Sequence, residues 1–312
     1  MFRIAVIISV VVHVGVLLAF TLASLTSDIS ASALPITSTA ASVAETNEPT
    51  FEKHAEQLRT KLAGRGFTIL IEKPFVVIGD EAEEVVKDRA RSTVRGSVAR
   101  LKKAYFTKDP KDILEIWLFK DEVSYRKHAK EFFNDEPDTP YGYYSPANKA
   151  LIMNIATGGG TLVHEIVHPF IEANFPDCPA WFNEGLGSLY EQSGEMDGHI
   201  HGFTNWRLPG LQHAIRKKGV PTFQMLTSMS DTQFYGDETG INYAQARYLC
   251  YYLQQRNLLT KFYKEFSANI KTDPSGYKTL QKTLGERDMN AFQKKWGAFV
   301  LRLSVGVDAD ID

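Results

Sequence analysis

The segment His164-Glu165-Ile166-Val167-His168 constrains this chain more than any other feature of its sequence. Residues four apart lie on one face of a helix, so both histidines can bind a single metal ion. Glu165 lies about 100° further round the helix, where it can act as a general base on a metal-bound water. The segment is therefore expected to form a metal site on a helix. A surface helix that carries these three residue types by chance is the alternative.

A third metal ligand follows a short way along the chain. Catalytic zinc takes three protein ligands, and in the set of two histidines and one glutamate the carboxylate comes from a following segment. Here Trp181-Phe182-Asn183-Glu184-Gly185-Leu186-Gly187 follows Pro179, a residue typical of a helix start. Glu184 would then lie one turn into the new helix. The sequence therefore predicts a Zn2+ site with His164, His168 and Glu184 as its ligands.

These two segments together resemble the gluzincin (peptidase MA-like) zinc metallopeptidases, specifically the small bacterial exported type. The resemblance is specific over Thr161 to Glu191 and looser from Phe67 to Leu303. It implies a zincin-like fold, the three zinc ligands named above, and Glu165 as the catalytic base. The implied reaction is hydrolysis of a peptide bond, with Glu165 returning the proton of the water to the leaving amine.

Two features depart from the gluzincin pattern, and Pro169 needs a separate physical account. The Gly-Ala-Met-Glu-Asn element with which gluzincin aminopeptidases hold a substrate's amino terminus is absent, which disfavours aminopeptidase activity. Thermolysin-like members place an Asp that orients a zinc histidine four residues after the glutamate ligand, where this chain has Ser188. Pro169, directly after the second histidine, removes a hydrogen bond to the carbonyl of Glu165. It is expected to bend the metal helix or to tune the base.

Peptide hydrolysis also needs a donor for the negative charge that develops on the carbonyl oxygen. The candidates are Tyr243, His199 and His201, and Tyr243 is favoured because Asn242-Tyr243-Ala244-Gln245-Ala246-Arg247 opens a helix that, by resemblance, passes the site. Tyr243 could instead be one of thirteen tyrosines that pack an interface. His199 and His201 could hold a metal of their own on a strand. Solvated histidines in a glycine-rich hairpin are the alternative for that pair.

A hairpin is predicted directly before the metal helix. Tyr141-Gly142-Tyr143-Tyr144 and an apolar run from Ala150 to Ile155 are separated by the turn cluster Ser145-Pro146-Ala147-Asn148-Lys149. An exposed strand edge beside the zinc can bind an extended peptide through main-chain hydrogen bonds, which leaves side-chain identity open. A polypeptide is therefore the expected substrate. A hairpin that only supports the metal helix is compatible with this interpretation.

The charge balance excludes one class of partner. The chain has 35 basic and 37 acidic residues and a net charge of −2. Proteins that bind nucleic acid show a basic stripe, so no nucleic acid is expected as a partner.

The amino terminus predicts the location. Residues 1–33 are interpreted as a signal peptide or a membrane anchor, because Arg3 precedes an apolar run from Ile4 to Leu25 that is long enough to span a membrane. Ser30-Ala31-Ser32-Ala33 offers a cleavage pattern, but a retained single transmembrane span with its charged end in the cytoplasm is favoured. Either outcome predicts an extracytoplasmic protein that is membrane-anchored, periplasmic or secreted. Residues 34–50, rich in Ala, Ser and Thr, are predicted as a linker.

The rest of the chain predicts an α+β fold with two lobes around a cleft. Residues 51–191 would form a mixed α/β lobe with the edge hairpin and the zinc motif, and residues 192–312 a mainly helical lobe that closes the cleft. Cys178 and Cys250 either pair or stay free thiols. Strands are predicted at Phe67 to Glu72, Pro74 to Ile78 and Ile113 to Phe119, and helices at Glu81 to Phe106, Asp121 to Phe133, Leu211 to Lys218, Tyr243 to Gln255, Leu259 to Ala268, Gly276 to Leu284 and Asn290 to Leu303.

The function that these observations predict is a zinc-dependent metallopeptidase that acts outside the cytoplasm. Two alternatives stay open. One is a zinc amidase that acts on a cell-wall peptide with the same residues. The other is a catalytically inactive, envelope-anchored binding protein of the same fold.

Overall fold

A five-stranded mixed sheet occupies the first half of the structure, a computed structural model that describes residues 50–237 and 240–306. Three central strands run parallel, and an antiparallel strand lies at each edge. The strands are β1 (Thr68–Glu72), β2 (Phe75–Gly79), β3 (Leu114–Phe119), β4 (Gly142–Ser145) and β5 (Ala150–Asn154), in the order β1-β2-β3-β5-β4. The predicted hairpin is therefore present as β4 and β5, and β4 is an edge strand.

Helices pack on both faces of the sheet and make up most of the second half. They are α1 (Phe51–Lys61), α2 (Glu83–Asp88), α3 (Gly96–Ala104), α4 (Glu122–Phe133), α5 (Gly159–Asn174), α6 (Ala180–Leu189), α7 (Leu208–Arg216), α8 (Phe223–Ser228), α9 (Asp231–Tyr235), α10 (Ile241–Gln255), α11 (Leu259–Asn269), α12 (Tyr277–Leu284) and α13 (Met289–Arg302). A π-helical segment, Arg89–Arg95, joins α2 to α3. A 3-10 turn, Ile155–Thr157, leads into α5. Strands β6 (Ser193–Met196) and β7 (His199–Gly202) form a separate hairpin.

The predicted α+β class is confirmed. Each predicted strand and helix has a counterpart within a few residues, because the apolar periodicity that predicts it is a local property. Helices α8 and α9 were not predicted, since neither is long enough to show a helical period. Helix α1 was also missed, and its amino-terminal cap is the hydroxyl of Thr50.

Alternating side chains divide the core of the sheet into two apolar clusters. Val76 and Trp117 face α1 and α4, whereas Val77 and Ile116 face α5. The second cluster continues from α5 through α6 into the carboxy-terminal helices, where Leu249 and Trp296 belong to it. The metal helix is therefore packed between the sheet and the helical half, within one continuous core.

The prediction of a membrane-spanning helix needs correction. Within residues 50–237 and 240–306, no helix combines the length and the apolar character needed to cross a membrane. The most apolar long helix, α5, has 16 residues, whereas a span needs about 20. The continuous helix from α2 to α3 is longer but rich in charged residues. The apolar run from Ile4 to Leu25, on which the prediction depended, lies outside the described residues, as do the predicted signal peptide and the linker before Thr50.

Candidate metal centre

Helices α5 and α6 bring His164, His168 and Glu184 together. One nitrogen of each imidazole and one carboxylate oxygen all lie within 4.8 Å of one another. Nε2 of His164 lies 3.1 Å from Oε2 of Glu184, and Nε2 of His168 lies 4.0 Å from the same oxygen. Ligand atoms of a tetrahedral zinc site are about 3.3 Å apart, given bonds of about 2.0 Å. The three residue types match a zinc site, and the separation of 3.1 Å matches its spacing, whereas the separation of 4.0 Å is wider.

The other nitrogen of each imidazole has an oxygen partner of its own. Nδ1 of His168 donates to Oδ1 of Asn183 at 3.0 Å, and Nδ1 of His164 lies 3.3 Å from Oε1 of Glu191. Partners of this kind fix the tautomer of a metal-binding histidine and the orientation of its ring. Both Nε2 atoms are thereby directed at Glu184, as a shared metal ion requires.

Glu184 is held in a similar way. It is 6% exposed, and its Oε1 accepts a hydrogen bond of 3.0 Å from the hydroxyl of Tyr235 on α9. This bond leaves Oε2 directed at the two histidines. Glu184 is therefore arranged to offer one oxygen to a metal ion.

Gly187 allows His164 to lie directly against α6. A Cβ at this position would come within 3.2 to 3.3 Å of Cδ2, Nε2 and Cε1 of the His164 ring. Gly185, on another face of the same helix, allows a similarly close approach to α10, where Ala246 and Cys250 are its neighbours. The two glycines explain why α6 can pack tightly against both the metal helix and α10.

Arg247, a fully buried residue of α10, holds the carboxy-terminal end of α6. Its Nε donates to the carbonyl of Ser188 at 2.9 Å, and its Nη2 donates to the carbonyls of Leu189 and Phe203. The guanidinium group thus satisfies carbonyls that the end of a helix leaves free. Burial lowers the pKa of Arg247, although an arginine still stays charged at neutral pH.

In the ligand cluster, Glu184 and His164 each favour the charged form of the other. Burial acts to lower the pKa of His164, but its contacts with Glu184 and Glu191 raise it to about 10. Burial acts to raise the pKa of Glu184, but His168 and His164 lower it. Arg207 compensates Glu191, whereas no arginine or lysine pairs with Glu184 among the described residues. The carboxylates that favour a proton on His164 would also favour a divalent cation in its place.

Glu165 lies between the ligand cluster and the edge strand β4. Its Oε2 accepts a hydrogen bond of 2.9 Å from the backbone N–H of Tyr144 and lies 3.8 Å from Nε2 of His168. Burial raises the pKa of Glu165, and the two imidazoles oppose the rise. The structure therefore places this carboxylate beside the ligands without making it one of them.

Tyr243 is close to the cluster and also packs against other aromatic rings. Its ring lies 5.2 Å from that of Phe234, and the guanidinium carbon of Arg207 lies 5.3 Å from its centre. Burial and the nearby charge of Glu184 raise the pKa of Tyr243 far above its usual value. Both predicted roles, donor and packing residue, therefore stay open.

His199 and His201 lie on β7, in the hairpin that the sequence suggested. His199 is exposed, and Nε2 of His201 lies 3.2 Å from the side-chain nitrogen of Gln254. Among the described residues, no group of three potential metal ligands includes either histidine. The second metal site considered for this pair has no third ligand there.

Pro169 and Ser188 occupy the two positions where a departure was expected. Helix α5 runs through Pro169 and continues to Asn174. The hydroxyl of Ser188 is buried without a hydrogen-bond partner, so it does not orient a histidine. The carboxylate beside His164 comes instead from Glu191, three residues further along.

Cys178 and Cys250 are free thiols in the structure. Burial raises the pKa of both, so neither is activated as a nucleophile. Of the two alternatives considered for these residues, the structure shows the unpaired one.

Four residues of the site had no role assigned from the sequence: Asn183, Glu191, Arg207 and Tyr235. Asn183 was within reach of sequence reasoning, since it precedes Glu184 in the ligand segment. The other three act through contacts between separate elements, for which the sequence has no local signal. No family model matches the chain, and a search of curated proteins found no significant match.

Proposed function

We propose that this chain is a zinc-dependent metallopeptidase of the gluzincin type that hydrolyses polypeptides outside the cytoplasm. The observation that carries the proposal is the approach of one ligand atom each of His164, His168 and Glu184 to within 4.8 Å of one another, with Glu165 beside them at the edge strand β4. A zincin-like fold is part of the proposal. It is supported by the order of edge strand, metal helix and glutamate helix along the chain. The export pattern of residues 1–33 supports the location.

The three ligands would hold a zinc ion through Nε2 of each histidine and Oε2 of Glu184. The chemistry that zinc would supply at these ligands is Lewis-acid activation of a water molecule and of a carbonyl group. Asn183, Glu191 and Tyr235 fix the directions of the three ligands, so little reorganisation would be needed on metal binding.

Glu165 would move the proton. The N–H of Tyr144 holds its Oε2 at 2.9 Å, which orients the carboxylate toward the ligand cluster. Its Oε1 would accept a proton from the attacking water and deliver it to the nitrogen of the leaving amine. Because Glu165 is only 4% exposed, bulk water has little access to the proton during this transfer.

The outer edge of β4 would bind the substrate. The carbonyl of Tyr141 accepts a hydrogen bond of 2.8 Å from Asn154, so Tyr141 and Tyr143 direct their backbone groups toward β5. In an antiparallel pair the intervening residues, Gly142 and Tyr144, then direct theirs outward. Because the outward N–H of Tyr144 already bonds Glu165, an extended peptide would add to this edge through the carbonyl of Tyr144 and the backbone groups of Gly142. Its scissile bond would then lie next to Glu165, whose carboxylate already bonds the same edge.

The test combines metal analysis of the purified protein with cleavage of a peptide library, for the wild type and for Glu165→Gln. We expect one zinc per chain in both proteins, because the ligands are unchanged. Cleavage should fall by about 10²- to 10⁴-fold in the variant, because the base is removed. Glu122→Gln, a surface carboxylate on α4 paired with Arg126, is the control and should cleave like the wild type.

Two outcomes would contradict the proposal. Stoichiometric zinc without cleavage of any peptide would point to another amide substrate, such as a cell-wall peptide, or to a binding protein. Cleavage that survives Glu165→Gln would show that this carboxylate is not the base.

A further inference from the structure

Glu191 lies at the centre of a buried network just beyond the end of α6. Its Oε1 faces Nδ1 of His164 at 3.3 Å and also accepts from Nη2 of Arg207 at 2.7 Å. Its Oε2 accepts from Nε of Arg207 and from Nδ2 of Asn205, each at 3.0 Å. The side chains of Glu191 and Arg207 are each only 14% exposed. Both carboxylate oxygens are therefore engaged, and neither is available to bind a metal directly.

The backbone fixes the position of this carboxylate. Gly160, in the first turn of α5, lies so close to the carbonyl oxygen of Glu191 that any Cβ there would overlap it. His164 is one turn further along α5, on the same side as Gly160. The close approach therefore places the Glu191 side chain beside the His164 ring.

Arg207 lies in the segment before α7. Besides its contact with Glu191, its guanidinium group packs against two aromatic rings. Its guanidinium carbon lies 4.3 Å from the centre of the Trp206 ring and 5.3 Å from that of Tyr243. A paired, two-point contact between arginine and carboxylate fixes the plane of both groups. The plane of Glu191 in turn determines the direction in which Nδ1 of His164 can donate.

We infer that Glu191 and Arg207 form a positioning pair that fixes His164 for metal binding. The inference rests on the proposed function, since it concerns the same metal centre. Glu191 keeps the proton of His164 on Nδ1 and thereby leaves the lone pair of Nε2 directed at Glu184. Arg207 holds Glu191 in that role and keeps it from joining the metal ligands. Such a pair has no part in bond breaking, and its effect is on metal affinity and on the geometry at the metal.

The experiment measures the zinc Kd by chelator competition and the absorption spectrum of the Co2+-loaded protein, for wild type, Glu191→Ala and Glu191→Gln. We expect Glu191→Ala to weaken zinc binding by about 10- to 100-fold and to alter the Co2+ spectrum. Glu191→Gln keeps an acceptor oxygen and should lose less zinc affinity than Glu191→Ala. Glu195→Ala is the matched control, because Glu195 also pairs with an arginine but is exposed on β6, and its Kd should equal that of the wild type.

Removal of Glu191 leaves Arg207 buried without its partner, so folding is checked by far-UV circular dichroism. If Glu191→Ala does not fold, the double variant Glu191→Met with Arg207→Met removes both charges at similar volume and takes its place. A purely structural role predicts a lower unfolding midpoint with an unchanged Kd and Co2+ spectrum, and that result would overturn the inference. A wild type that binds zinc but cleaves nothing would overturn the proposed function alone. A wild type that binds no zinc would overturn both.

Discussion

Replacement of Gly187 by alanine adds one methyl group against the imidazole of His164, and we expect it to separate zinc affinity from folding stability. The new Cβ would lie 3.2 to 3.3 Å from three atoms of the ring. Carbon atoms pack best at about 3.5 to 4.0 Å, so the ring must retreat by roughly 0.3 Å. Zinc sites tolerate deviations of about 0.2 Å in metal–ligand distance. Zinc affinity should therefore fall by about 10-fold or more, which corresponds to about 1.4 kcal/mol.

The free energy of unfolding without zinc should change less than the free energy of zinc binding. Alanine is favoured over glycine in a helix interior by about 0.8 to 1.0 kcal/mol, because it restricts the unfolded chain. The contact with His164 should cost a similar amount, given that overpacking by a methylene costs about 1 kcal/mol or more. The two effects oppose each other. Measured by urea unfolding with a chelator present, the stability should stay within about 1 kcal/mol of the wild type.

Gly297→Ala in α13 is the matched control. This glycine is also buried in a helix, but a Cβ there would meet its nearest neighbour, Ile215, at an ordinary 3.6 Å. The Gly297→Ala variant should gain stability and keep the wild-type zinc Kd. The Kd of both variants is measured by the chelator competition used for Glu191. If Gly187→Ala folds and binds zinc as tightly as the wild type, the proposed contact between His164 and α6 does not limit metal binding.

Three further predictions concern Tyr243, Tyr235 and the first turn of the metal helix. Tyr243→Phe should lower kcat by about 10²- to 10³-fold with zinc content unchanged if Tyr243 stabilises the oxyanion, and an unaltered kcat would assign it to packing. Tyr235→Phe should instead raise the zinc Kd by about 10-fold or more, because its hydroxyl orients Glu184; an unchanged Kd would contradict that role. Gly160→Ala should lower the free energy of unfolding by about 3 kcal/mol or more, because its Cβ would overlap the carbonyl of Glu191, and a wild-type urea midpoint would refute that close approach.

Much of the fold followed from local patterns in the sequence. The edge hairpin, the long helices and the order of strands before helices were predicted from apolar periodicity and turn residues, which act over a few residues. The shared core was harder to foresee. One apolar cluster runs from the sheet into the carboxy-terminal helices. Which apolar faces meet depends on packing between distant elements.

The candidate site shows the same division. The sequence by itself determined the three candidate ligands and the base, because His164, Glu165 and His168 lie within two helical turns and Glu184 in the next helix. Only the tertiary structure decided how those ligands are oriented. Glu191 reaches His164 because Gly160 has no side chain and the backbone of Glu191 can lie directly against it. Tyr235 reaches Glu184 from a helix 51 residues away in sequence. Such partners depend on how helices pack, and no local spacing in the sequence records that packing.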